Sequence, residues 1–160
     1  MSGRPSRRLA LVALLALPGC GSGQVQLASP TTDAATRAVC GDFVDALPDT
    51  VDDERRRPVD PEDALGAAWG DPAIVLICGG PTPAGFDGFS ACQVADGVGW
   101  WVPEEQIVDQ SVDAVLTTVG FEPNVQVRLP AAYRPEGAAA VMIDLAPAIK
   151  ERLRLVRPCV

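Results

Sequence analysis

Ala91-Cys92-Gln93-Val94-Ala95-Asp96-Gly97-Val98-Gly99-Trp100-Trp101-Val102 is the stretch on which the fold turns. Two short apolar-rich runs, 91–95 and 98–102, flank Asp96-Gly97. That dipeptide suits a type I′ turn, whose two central residues both take positive φ. The stretch therefore predicts an antiparallel hairpin. Successive side chains of a strand point to opposite faces, so Trp100 and Trp101 must diverge. One enters the core. The other is either covered by a second layer or offers an aromatic platform to a ligand or partner.

Working outward, Ile74-Val75-Leu76-Ile77-Cys78 is a continuous apolar run, the pattern of a central strand covered on both faces, and Gly79-Gly80-Pro81 ends it. Downstream, residues 112–119 predict another strand. A further one holds Val125, Val127 and Leu129 alternating with Gln126 and Arg128, and the Phe121–Asn124 turn joins the two. Upstream, Asp33 or Thr32 caps a helix that runs to Leu47, with Val39, Phe43 and Leu47 as its stripe and Cys40 and Val44 beside it. Pro48 stops that helix. Residues 138–143 and 145–153 are helical in composition but interrupted by Pro147, with Asp144 available to cap the second piece, so a kinked or broken helix is expected. Between Asp49 and Asp71 lies a charge-dense segment, Asp52-Asp53-Glu54-Arg55-Arg56-Arg57 included, which reads as a solvated loop. Trp69 in Trp69-Gly70-Asp71-Pro72 reads as a loop anchor, or with Trp100 and Trp101 as part of a candidate binding surface. Together these elements predict an α+β, two-layer domain: a mainly antiparallel sheet of about five strands, an N-terminal helix and a broken C-terminal helix.

The first residues give an address. Arg4, Arg7 and Arg8 precede a nine-residue apolar run, Leu9 to Leu17, and the run ends in Leu17-Pro18-Gly19-Cys20. A basic region, a short apolar region and a cysteine at this spacing resemble a bacterial lipobox, in which the thiol is acylated and the chain is cut before it. The run is too short for the roughly 20 apolar residues of a membrane span. The expected organisation is a lipoprotein signal peptide at 1–19, a flexible tether at 20–32 and one domain at 33–160. Ser6-Arg7-Arg8 is also a partial twin-arginine signal, which leaves the export route open.

Thirteen Lys+Arg stand against twenty-one Asp+Glu, giving a net charge of −8. Cleavage before Cys20 removes three arginines and no acid, taking that charge to −11. Nucleic acid is excluded as a partner, since phosphate binding needs clustered positive charge. With no histidine in the chain, a Ser-His or Cys-His couple, a histidine-ligated metal site and a histidine switch are excluded too. Four cysteines remain after Cys20: Cys40, Cys78, Cys92 and Cys159. Outside the cytoplasm an even number reads as two disulfides. Of the three pairings, Cys78–Cys92, closing a short loop, and Cys40–Cys159, tying the first helix to the C-terminus, are favoured.

Several stretches resemble DUF3515, a family of actinobacterial lipoproteins of unknown function. They are Cys40 to Pro48, Ala67 to Pro72 leading into Ile74 to Gly79, Gly97 to Trp100, Thr117 to Gly120, Pro123 to Pro130, and Asp144 to Pro147. Gly99 stands where the resemblance implies an acidic residue. What the resemblance implies is an envelope location; it carries over no catalytic residue.

Carboxylates are the abundant reactive groups: Glu104-Glu105 after the tryptophan strand, and Asp60, Glu62 and Asp63 in the charged segment. No spacing fixes two of them across a cleft, and the pattern of a calcium loop is missing. The sequence thus predicts no enzyme, cofactor or metal. It predicts a lipid-anchored protein on the extracytoplasmic face of the cell membrane, acting as a binding or accessory module. Its partners would be the bilayer, through acylated Cys20, and an envelope protein or cell-wall component. A carboxylate-dependent envelope hydrolase and a purely structural envelope protein are the alternatives.

Overall fold

The computed structural model describes residues 23–87 and 90–159, so the expected signal peptide and Cys20 lie outside the described residues. In chain order the elements are β1 (Val25–Gln26), α1 (Ala34–Asp45), β2 (Thr50–Val51), β3 (Glu54–Arg57), β4 (Val59–Asp60), β5 (Gly66–Trp69), β6 (Ile74–Cys78), β7 (Gln93–Ala95) and β8 (Val98–Trp101). There follow α2 (Glu104–Val108), β9 (Ala114–Val119), β10 (Phe121–Glu122), β11 (Val125–Leu129), a 3-10 turn (Ala131–Glu136), α3 (Ala139–Arg152) and β12 (Arg154–Leu155).

The α+β architecture is as expected, built on an antiparallel sheet in the order β2-β3-β5-β6-β11-β9-β8-β7. It has eight strands rather than about five. The additional strands, β2, β3 and β5, come from the segment read as a charged loop. There Asp52 and Asp53 take φ of 52° and 60° and make a two-residue turn, pairing Val51 with Glu54. The charges that suggested solvent are used on the backbone instead. Arg56 donates to the carbonyls of Leu47 and Val44 at 3.2 and 3.0 Å, satisfying the C-terminal end of α1. Arg57 donates to Gly70 and Gly23 at 2.9 and 2.8 Å.

One face of the sheet packs on α1 and α3. Asp33 caps α1, its carboxylate accepting from the Thr36 N–H at 2.8 Å. The buried stripe is Cys40, Phe43, Val44 and Leu47, while Val39 is turned outward and 37% exposed. From α3 come Val141, Leu145 and Ile149, which meet Leu76, Trp100, Leu116 and Val127 in one core. Each large apolar side chain fully buried there contributes about 1.5–3 kcal/mol. α3 touches β2 at one edge of the sheet and β7 and β8 at the other, so the sheet curls around it. Contrary to expectation, α3 does not break at Pro147. Pro147 and Ile143, whose carbonyl loses its helical partner, are both exposed, so water can replace the missing bond.

Among the described residues the opposite face carries no helix; chain segments cross it. The loop after β6 runs over β11 and β8, with Gln126 donating to the Pro81 carbonyl at 2.6 Å and Phe86 against Trp101. The C-terminal segment crosses at Gly99, where a Cβ would stand 2.6 Å from that of Cys159. An acidic side chain at that position has no room.

The N-terminal segment is the third such crossing, and it corrects the expected tether. In the part of 20–32 that is described, β1 pairs in parallel with β4, Leu27 is buried, and Ser29 accepts from the Leu65 N–H at 2.8 Å. Val25 and Leu27 supply apolar contact that the polar composition of the segment disguised.

The disulfides are Cys40–Cys78 and Cys92–Cys159, not Cys78–Cys92 and Cys40–Cys159. Strand order explains the correction. β6 and β7 stand four strand spacings apart, roughly 19 Å at ~4.8 Å each, which no disulfide spans. Cys78, on the helical face of β6, instead meets Cys40 of α1 with Cα atoms 5.6 Å apart. Cys92, entering β7, meets Cys159 at 6.1 Å.

Candidate functional site

Two concave surfaces flank α2, a short helix not expected from the sequence, while others lie beside α1 and beside the β2–β3 hairpin. Val102-Pro103 ends β8, and Pro103 accepts from the N–H groups of Gln106 and Ile107 at 2.9 and 3.1 Å. Glu104 and Glu105 occupy the first turn, where the positive end of the helix favours acids. Gln106 clamps the helix to the sheet, its side-chain carbonyl accepting from the Val115 N–H at 2.8 Å. The helix leaves Ile107 and Val108 in solvent, 44% and 80% exposed.

On one side of α2 lies a groove of about 710 Å³. Trp101 forms its floor, Val102, Pro103 and Ile107 its wall, and Glu104 and Glu105 its rim. Trp101 is itself only 9% exposed, its ring 5.5 Å from Phe86 and tilted by 60°. An apolar floor under a carboxylate rim suits a ligand with an apolar or aromatic body and polar or cationic edges.

On the other side of α2 is a smaller cavity of about 150 Å³, shared with the start of α3. It holds Arg134, a buried arginine from the 3-10 turn, which donates to the Gln106 carbonyl. Next to it Asp109 accepts from the N–H and hydroxyl of Ser111 at 2.9 and 2.6 Å. The Ser111 bonds hold the Asp109 carboxyl below its usual range, with the field of Arg134 a lesser contribution.

Of the residues proposed from sequence as a binding surface, Trp69 and Trp100 are fully buried and unavailable. Trp69 is a β5 core residue whose indole donates to the Pro48 carbonyl at 3.0 Å. Trp100 lies under α3, and Trp101 alone reaches a cavity. Asp60, Glu62 and Asp63 sit in and after β4, and none of them lines the groove that Glu104 and Glu105 rim. Among the described residues no group of three or more His, Cys, Asp or Glu could hold a metal ion. Tyr133, near β5, has its phenol pushed above its usual value, chiefly by burial and then by the charge of Glu54, and donates to the Pro72 carbonyl at 2.9 Å.

The family model for proteins of unknown function termed DUF3515 matches residues 8–157. The chain belongs to the DUF3515 family. No curated protein and no solved structure matches it. Within this DUF3515 protein the sequence pointed to Trp101, Glu104 and Glu105. It missed α2, which Pro103 followed by two acids signals as a helix start. It missed Arg134 as well, and nothing local to Tyr133-Arg134-Pro135 marks that arginine out.

Proposed function

We propose that this DUF3515 protein is a lipid-anchored lipoprotein of the extracytoplasmic membrane face, whose domain binds an envelope component without catalysing a reaction. The observation that carries this reading is the cysteine balance. All four cysteines among the described residues are consumed in two disulfides, as befits an oxidising compartment. Cys20 is then the one thiol left over, and it stands where the signal-like N-terminus ends.

The docked N-terminal segment adds a geometric consequence. Gly21, Ser22 and Gly23 separate Cys20 from the point where Arg57 holds the chain, and an extended residue spans at most ~3.5 Å. Acylated Cys20 therefore keeps the domain within about 10 Å of the bilayer. The groove beside α2, with Trp101 below and two carboxylates above, supplies the binding surface in this reading.

The test is fractionation of cells expressing the wild-type chain and Cys20→Ala. The wild type is expected in the membrane fraction, with its domain open to protease added outside spheroplasts, and the variant is expected to leave that fraction. A variant that stays with the membrane, or a wild-type domain shielded in the cytoplasm, contradicts the proposal.

A further inference from the structure

The strand directions bring the start of the docked chain and a cluster of exposed apolar residues to one end of the sheet. β5 and β6 turn at residues 70–73, and the antiparallel register puts Leu129, closing β11, and Ala114, opening β9, at that same end. One guanidinium, that of Arg57, donates to the carbonyls of both Gly70 and Gly23, so the N-terminal segment enters the domain there too. α2 stands beside the opening of β9, held by Gln106 to the Val115 N–H. Bonds brace this end from side to side: Tyr133 donates to the Pro72 carbonyl, and Arg134, next in the 3-10 turn, to the Gln106 carbonyl. Of the large apolar side chains exposed among the described residues, Ile107, Val108 and Val112 all belong to this end. Leu155 and Val156 belong to the opposite end, where the Val156 N–H donates to the Gly120 carbonyl beyond β9.

We infer that this end of the domain rests on the lipid bilayer, with Ile107, Val108 and Val112 dipping past the headgroups. The inference rests on the reading of Cys20 as the lipid anchor and names the surface that the anchor brings to the membrane. Cys20 stands three residues before Gly23, a reach of about 10 Å. α2 flanks β9, three strand spacings from β5, or about 14 Å at ~4.8 Å each. Anchor and helix therefore meet one membrane plane when the strands stand upon it. The acyl chains hold the helix at high effective concentration, so its three apolar side chains need not bind the bilayer unaided. The charges around α2 are Glu104, Glu105, Asp109 and Asp113, against the buried Arg134 and an Arg128 paired to Asp113 at 3.2 Å. Such a border offers anionic lipid no free cation, so the contact is apolar and a zwitterionic surface suffices. The groove walled by Ile107 then opens beside the headgroups, which places its ligand at the membrane surface.

The experiment places the native protein, extracted from membranes with its acyl groups, in phosphatidylcholine nanodiscs that carry a gadolinium-chelating lipid. The readout is the paramagnetic broadening of 1H–13C methyl signals. Ile107, Val108 and Val112 are expected to broaden well beyond Leu155 and Val156, and replacing part of the lipid by phosphatidylglycerol should not enlarge that excess. Val108→Asp changes a side chain that is 80% exposed, so folding is expected to survive. It should remove at least about half of the excess at Ile107 and Val112 while the protein stays in the nanodisc fraction. Should that variant fail to fold, the wild-type signals decide. Protein that does not enter the nanodisc fraction refutes the anchor, and the inference falls with it. Protein that enters with Leu155 and Val156 broadened as much as the α2 methyls refutes the inference alone. So does an excess that requires phosphatidylglycerol, or one undiminished in folded Val108→Asp.

Discussion

The β2–β3 and β7–β8 hairpins close opposite edges of the same sheet through two-residue turns in which the chain takes positive φ. α3 reaches across the core to hold both. Asp144 accepts from the Asp52 N–H at 2.9 Å, and Lys150 donates to the carbonyl and carboxylate of Asp96 at 2.8 and 2.7 Å. The difference lies in what else secures each one. β8 buries Trp100 under α3, and Cys92–Cys159 staples the entry of β7 to the C-terminal crossing. The β2–β3 hairpin buries Val51 and has no covalent tie; Arg56 and Arg57 secure it through carbonyls of the surrounding chain. An apolar hairpin is held by burial and a disulfide, a charged one by cations spent on backbone acceptors.

The largest expected effect breaks that contrast on the β7 side. Replacing Cys92 and Cys159 together by alanine should cost about 2–4 kcal/mol in denaturant unfolding. Hydrogen exchange should then quicken in β7 and β8 while β2 and β3 keep their protection. Equal loosening of both hairpins would mean that the disulfide acts on the whole fold and not on one edge.

The two hairpins also divide what could be read in the sequence from what could not. Asp96-Gly97 was legible because glycine at that place has a local reason, and Asp33 before α1 was legible for the same kind of reason. Asp52-Asp53 was not, since a run of acids and arginines looks the same whether it is solvated or bonded to carbonyls. Disulfide pairing was hidden because it depends on strand order: residues 79–91 are short in sequence yet cross the sheet from β6 to β7. At the candidate site Trp101 and its neighbouring acids were visible as a motif. Arg134 acquires meaning only where α2, the 3-10 turn and the start of α3 converge.

A smaller effect sharpens the comparison from the β2 side. Asp144→Ala removes the acceptor for the Asp52 N–H in an exposed setting, so a loss of about 1 kcal/mol is expected. The signature is faster exchange in β2 and β3, with β7 and β8 unchanged. A loss confined to α3 itself would show that Asp144 serves the helix and not the hairpin.

The central claim is that Cys20 carries the lipid while the remaining cysteines are bridged. Intact-mass spectrometry of the native protein, extracted from membranes without reducing agent, tests it most directly. The predicted result is a chain that begins at Cys20, heavier by its acyl groups and lighter by the four hydrogens of two disulfides. A chain that begins elsewhere without lipid, or one whose cysteines are free, contradicts it.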